Sequence, residues 1–175
     1  AIADHEPTPF AGTLLNPGVA QAEVTGEWNA NPERPFGMIR NLQHVPSVRA
    51  LTLDMHLDSA PTIGTRSLVT AAGASFTAFL GQSPSVRRAE ESDARLEDYL
   101  MPSFAARRQA GSEPLESVFA AAHEPLNGAP RLRTLECRRQ GDALLLTVTH
   151  ADGRRDYLAM RLDDSPESAA FETPD

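Results

Sequence analysis

"DALLLTVTHADGRRDYLAMRL", residues 142–162, decides the fold. Two runs of strand-forming residues flank Asp152-Gly153, a dipeptide that closes tight hairpins, so the stretch predicts a pair of antiparallel strands. A two-residue type I′ loop pairs Ala151 with Arg154 and sets the register behind it. Counted outward, Leu146, Val148 and His150 share a face with Ala159, Tyr157 and Arg155, while Leu145 and Thr147 lie with Met160 and Leu158 on the other. Both faces are then largely apolar, which places the hairpin between other layers or under a covering segment.

Upstream, "VRALTLDMHL" (residues 48–57) alternates Leu51, Leu53, Met55 and Leu57 with Thr52, Asp54 and His56, the period of a half-buried strand with His56 on its polar face. "RSLVTAAG" (66–73) and "ASFTAFLG" (74–81), bounded by Gly64, Gly73 and Gly81, read as strand, turn, strand. "AQAEVTGEWNA" (20–30) is a weaker strand signal, ended by "NPERPFG". From Ser83 to Ala110 the chain turns polar, with Pro102 inside it, and reads as a long connection or an irregular edge segment. "LESVFAAAHE" (115–124) and "RLRTLECRR" (131–139) resume as strands. The expected fold is all-β, an antiparallel β-sandwich at residues 19–163. An irregular, extended entry segment precedes it at 1–18, rich in Pro and Gly, and an acidic tail expected to be disordered follows at 164–175.

At 175 residues one domain is expected. No apolar run is long enough to span a bilayer as a helix, and no targeting signal is visible in "AIADHEPTPF". The net charge of −8 argues against general nucleic-acid binding and against an anionic membrane surface. One cysteine, Cys137, excludes an internal disulfide and a cysteine-based zinc site. It alternates with Leu135 onto a core face, so a buried inert thiol is expected. All 16 basic residues are arginine, which fits both recognition of carboxylate or sulfate by guanidinium forks and a GC-rich codon bias.

The five histidines show neither HExxH nor His-x-His spacing, so no metal and no cofactor is expected. His123 and Glu124, adjacent in "VFAAAHEPLNGAP" (118–130), point to opposite faces of a strand and do not converge on one substrate atom. Pro125 and the turn residues after it end the ladder there. His150, near the hairpin end and opposite Arg155 in the expected register, reads as structural. In the doublets Arg87-Arg88, Arg107-Arg108, Arg138-Arg139 and Arg154-Arg155 only one member of each faces a shared surface. No residue is expected to be catalytic; the candidates for glycan contact are Trp28, the only tryptophan, with Arg107 and Arg108.

"MPSFAARRQAGSEPLESVFAAAHEPLNGAPRLRTLECRRQGDALLLTVTHADGRRDYL", residues 101–158, resembles the C-terminal β-rich region of heparinase II/III-like polysaccharide lyases, with a looser likeness over 63–91. Those proteins run a similar strand-turn-strand around "SVFAAAHEP" and then a hairpin. The resemblance implies a β-sandwich joined to an α/α toroid in a bacterial, periplasmic or secreted enzyme that cleaves uronic-acid polysaccharide by β-elimination. The family's acid and base lie upstream of the matched region and fall on no position of this chain. The implied role is a non-catalytic domain packed on the toroid. The alternative is a stand-alone carbohydrate-binding module for acidic glycans, and a third possibility is a scaffold without glycan contact.

Overall fold

The computed structural model describes residues 10–15, 22–23, 40–57, 60–84, 100–112 and 114–163. They form eleven strands: β1 Phe10–Leu15, β2 Ala22–Glu23, β3 Arg40–Val48, β4 Ala50–Leu57, β5 Ala60–Ala71, β6 Phe76–Pro84, β7 Leu100–Arg107, β8 Phe119–Asn127, β9 Leu132–Gln140, β10 Ala143–His150 and β11 Arg155–Arg161. Three antiparallel sheets result, in the orders β1-β4-β5-β8, β2-β3-β6-β7 and β11-β10-β9. The fold is all-β and sandwich-like, as the alternation requires. Trp28 and the acidic tail lie outside the described residues.

The first sheet is the middle layer, because its strands bury residues of both parities. Leu51, Leu53, Val69 and Ala71 project to one side and meet Val45, Val48, Phe76, Ala78 and Leu80 of the second sheet. Leu53 is 1% exposed. Leu68, one residue out of phase, projects to the other side and meets Leu135 and Val148 of the third sheet. Each strand side therefore contributes to a separate core, and burial of apolar area on both sides drives the stacking.

This layering corrects one expectation about β4. Its polar side faces the third sheet instead of water, and Asp54 is buried there. Four further corrections concern bounds. Gly64 and Gly81 lie inside β5 and β6. Leu100–Arg107, expected as a long connection or an irregular edge segment, is a regular edge strand of the second sheet, where Pro102 sits without interrupting a central ladder. Pro125 does not end β8: it pairs with Thr65, and the strand continues to Asn127, which a free edge permits because the missing N–H has no partner to lose. Phe10–Leu15, expected in the extended entry segment, pairs with β4.

The hairpin forms, but its register is shifted by one residue from the expectation. His150, not Ala151, stands opposite Arg154, with the His150 N–H donating to the Arg154 carbonyl at 2.8 Å. The loop therefore has three residues, closed by Gly153 at φ 88° and by the Arg154 N–H donating to Asp152 Oδ1 at 3.0 Å. A type I′ turn needs positive φ at both central residues, and Asp152 does not adopt it. The slip exchanges the partners: Leu146 meets Leu158, Val148 meets Asp156, and Arg155 stands opposite Thr149. Both faces of β10 are covered as expected, whereas β11 is an exposed edge strand.

Thr70, buried on β5, donates its hydroxyl to the Arg49 carbonyl at 2.8 Å. Thr70→Val keeps the shape and leaves that carbonyl unpaired; a loss of about 1 kcal/mol is expected in urea unfolding. An unchanged midpoint would mean that the carbonyl finds another donor.

Candidate functional site

Between the middle and third sheets lies a row of charged residues that the sheet register itself assembles. Asp54, Arg66 and Glu124 are cross-strand neighbours on β4, β5 and β8. Arg66 grips Asp54 bidentately, Nε to Oδ1 at 2.7 Å and Nη2 to Oδ2 at 2.6 Å, and donates Nη1 to the Leu132 carbonyl at 3.2 Å. Glu124 is 6% exposed. It accepts the Arg131 N–H at 3.0 Å, the Leu132 N–H at 2.9 Å and the Arg131 Nε–H at 3.2 Å. Burial pushes its carboxyl up, but those hydrogen bonds and the Arg131 charge outweigh burial and hold it below the ordinary 4.5.

Glu124 is thus a latch, turning the exit of β8 into the start of β9. His123 points the other way, its Nδ1 2.8 Å from Ser67 Oγ. The pair diverges as strand alternation demands.

Above the latch is a cleft of about 530 Å³. One wall is the end of β8 with Arg131 and Leu132; the other is the β10–β11 hairpin tip with His150, Asp152 and Arg154. The Ala151 N–H donates to the Arg131 carbonyl at 2.7 Å and ties the tip to the exit loop. His150 Nε2 lies 2.7 Å from Asp156 Oδ2, and Arg154 Nη2 lies 3.0 Å from the same ring nitrogen. The hydrogen bond from His150, helped by the Arg154 charge, holds the Asp156 carboxyl below its ordinary value.

The residues proposed from sequence for glycan contact are elsewhere. Arg107 is at the end of β7 and exposed, with Nη2 3.3 Å from Gln109 Oε1. Arg108 donates Nη1 to the Glu116 carbonyl at 2.8 Å and to Ser117 Oγ at 3.0 Å, so part of its guanidinium is spent on its own loop. Neither lines the cleft. Arg139, of another doublet, pairs with Glu116 at 2.6 Å. Cys137 is half-buried beside Leu135, and burial pushes its thiol up, away from the reactive thiolate.

Among the described residues no three His, Cys, Asp or Glu side chains gather as a metal site. What the cleft offers is hydrogen-bond donors, a guanidinium group on each wall. Arg131 and Arg154 were missed as a pair because 22 intervening positions separate them in the chain. The one local signal was Arg131 following the turn residues Gly128 and Pro130. No family model, curated protein or solved structure matches this chain.

Proposed function

We propose that the chain is the non-catalytic β-sandwich region of a heparinase II/III-like polysaccharide lyase, seated against that enzyme's α/α toroid. The observation that carries the reading is β11. Leu158 and Met160 extend the apolar face of β10 beside Leu146 and Leu144, yet they are 48% and 52% exposed. Leu162 adds to the same exposed apolar surface. An apolar strip of this kind on an edge strand marks a surface that further polypeptide covers.

Two features of the resembling stretch support it. The strand-turn-strand and hairpin that the likeness implies correspond to β8 to β11. Glu124, the acid in "HEP", is committed to backbone N–H groups, a structural duty that suits a domain whose chemistry is done elsewhere. β-Elimination at a uronate requires a base and an acid on one sugar ring with the carboxylate neutralised. In this reading the toroid supplies them.

The test has two arms. Incubated with acidic polysaccharides, the 175-residue chain is expected to release no unsaturated uronate. An antibody raised to it is expected to detect a native polypeptide several-fold larger than 18.9 kDa. Product that disappears on replacing a specific His or Tyr, or a native band at 18.9 kDa, would overturn the proposal.

A further inference from the structure

The cleft between the β8 exit and the β10–β11 hairpin tip has an arrangement that structural duty alone does not use up. The chain has 24 acidic and 16 basic residues, so surface chosen at random from it is acidic. The cleft departs from that balance: Arg131, His150 and Arg154 stand against Glu124 and Asp152. The two acids are also the lining groups already engaged by backbone. Glu124 lies buried under the floor, its oxygens taken by Arg131 and Leu132 N–H groups. Asp152 accepts the Arg154 N–H at the hairpin tip.

The arginines are held by one part of the head group. Arg131 contributes only Nε to Glu124, and its side chain is 81% exposed, so the outer edge of the guanidinium faces outward. Arg154 lies against the His150 ring and is turned by Asp156, 3.5 Å from its Nε. Each cationic group is therefore oriented by a protein partner on one side, which lowers the entropy lost when the other side takes a ligand.

We infer that this cleft binds an oxyanion, a sulfate, phosphate or carboxylate group carried by its ligand, held between Arg131 on one wall and Arg154 on the other. The chemistry that selects it is the guanidinium fork, whose paired N–H groups match two oxygens of such a group. A neutral polyol lacks the charge that makes those bonds strong. The site uses none of Leu158, Met160 and Leu162, so it holds whether or not the chain is part of a lyase.

The experiment is a titration of the intact 175-residue chain followed by NMR, reading the arginine Nε–H and histidine ring signals. The probes are inorganic sulfate, inorganic phosphate, acetate and glucuronate, with glucose as the neutral comparison, at constant ionic strength. Saturable shifts at Arg131 and Arg154 are expected with at least one anion and none with glucose. Preference for sulfate and phosphate over acetate and glucuronate identifies a tetrahedral group, and the reverse a carboxylate. Arg131→Ala is expected to weaken binding about tenfold or more, the worth of a charge-assisted hydrogen bond. Arg131→Lys, which keeps the charge without the fork, is expected to fall between, and Arg107→Ala to bind as the wild type does. The remaining backbone signals report whether each variant is folded. Absence of saturable shifts with all four anions, equal response to glucose, or unchanged binding in folded Arg131→Ala and Arg154→Ala would overturn the inference.

Discussion

Glu124→Ala is expected to unfold at a much lower urea concentration than the wild type, with a loss of about 2–4 kcal/mol. The residue is a buried carboxylate whose oxygens are the partners of two consecutive backbone N–H groups, on Arg131 and Leu132, and of the Arg131 guanidinium. Truncation leaves those donors without acceptors, at about 1–3 kcal/mol for each that stays dry. It also removes the negative neighbour of Arg66, whose remaining carboxylate partner is Asp54. Glu124→Gln keeps an acceptor oxygen and is expected to lose less. The pH dependence has a fixed sign. A carboxyl held below its ordinary 4.5 by folding adds stability above that value, and the contribution disappears as pH falls through the folded-state pKa. The wild-type midpoint should therefore drop on acidification below 4.5, and the drop should be smaller in Glu124→Gln. Equal midpoints for Glu124→Ala and wild type at neutral pH would show that the latch contributes nothing.

The second large effect is expected at Gly64. Its place in β5 faces His56 of β4, where the ladder register shifts between His56 and Leu57. A Cβ added there would overlap the Met55 carbonyl oxygen and stand 3.0 Å from His56 Cα, both backbone atoms of the adjacent strand. No side-chain rotation relieves such a contact, so the two strands must part. The cost expected for Gly64→Ala is about 3 kcal/mol or more, at the upper end for overpacking. Gly111→Ala is the control, because an added Cβ there meets nothing within 4 Å. Matching urea midpoints for the two variants would remove the steric account.

Much of the architecture is legible in local pattern. The alternation of Leu51, Leu53 and Met55 announces a strand with one apolar side, and that side packs against the second sheet. The divergence of His123 and Glu124 follows from strand geometry alone and rules out their joint action on one atom. The hairpin was legible from Asp152-Gly153, but its register was not. Two-residue and three-residue loops share that dipeptide, and Gly153 alone takes positive φ. Pro125 misled for a similar reason: proline ends a central strand but is tolerated on an edge, and edge or centre is a property of the sheet.

The candidate site was the less legible half. Arg131 is joined to Glu124 through a loop, and Arg154 comes to the same opening because the Ala151 N–H holds the hairpin tip to the Arg131 carbonyl. Arg107 and Arg108 drew attention as a doublet, yet Arg108 is committed to Glu116 and Ser117 of its own connection. Adjacency in sequence is a poor guide to convergence in a β protein, since neighbours point apart.

Period-2 alternation is a local consequence of backbone geometry, so the order of residues alone shows that this chain is built of antiparallel strands and which side chains share a strand face. It also shows that His123 and Glu124 act separately. What each face meets follows from the packing of the three sheets. The polar side of β4 reads as solvated until a third sheet covers it. Asp54 and Glu124 then become buried carboxylates that must find Arg66, Arg131 and backbone N–H groups. Burying charge is unfavourable unless it is paired, and the partners lie up to 66 residues apart, from Arg66 to the Leu132 carbonyl. Which layer covers a strand is set by the sum of apolar area buried across the whole molecule, a quantity that no local stretch contains.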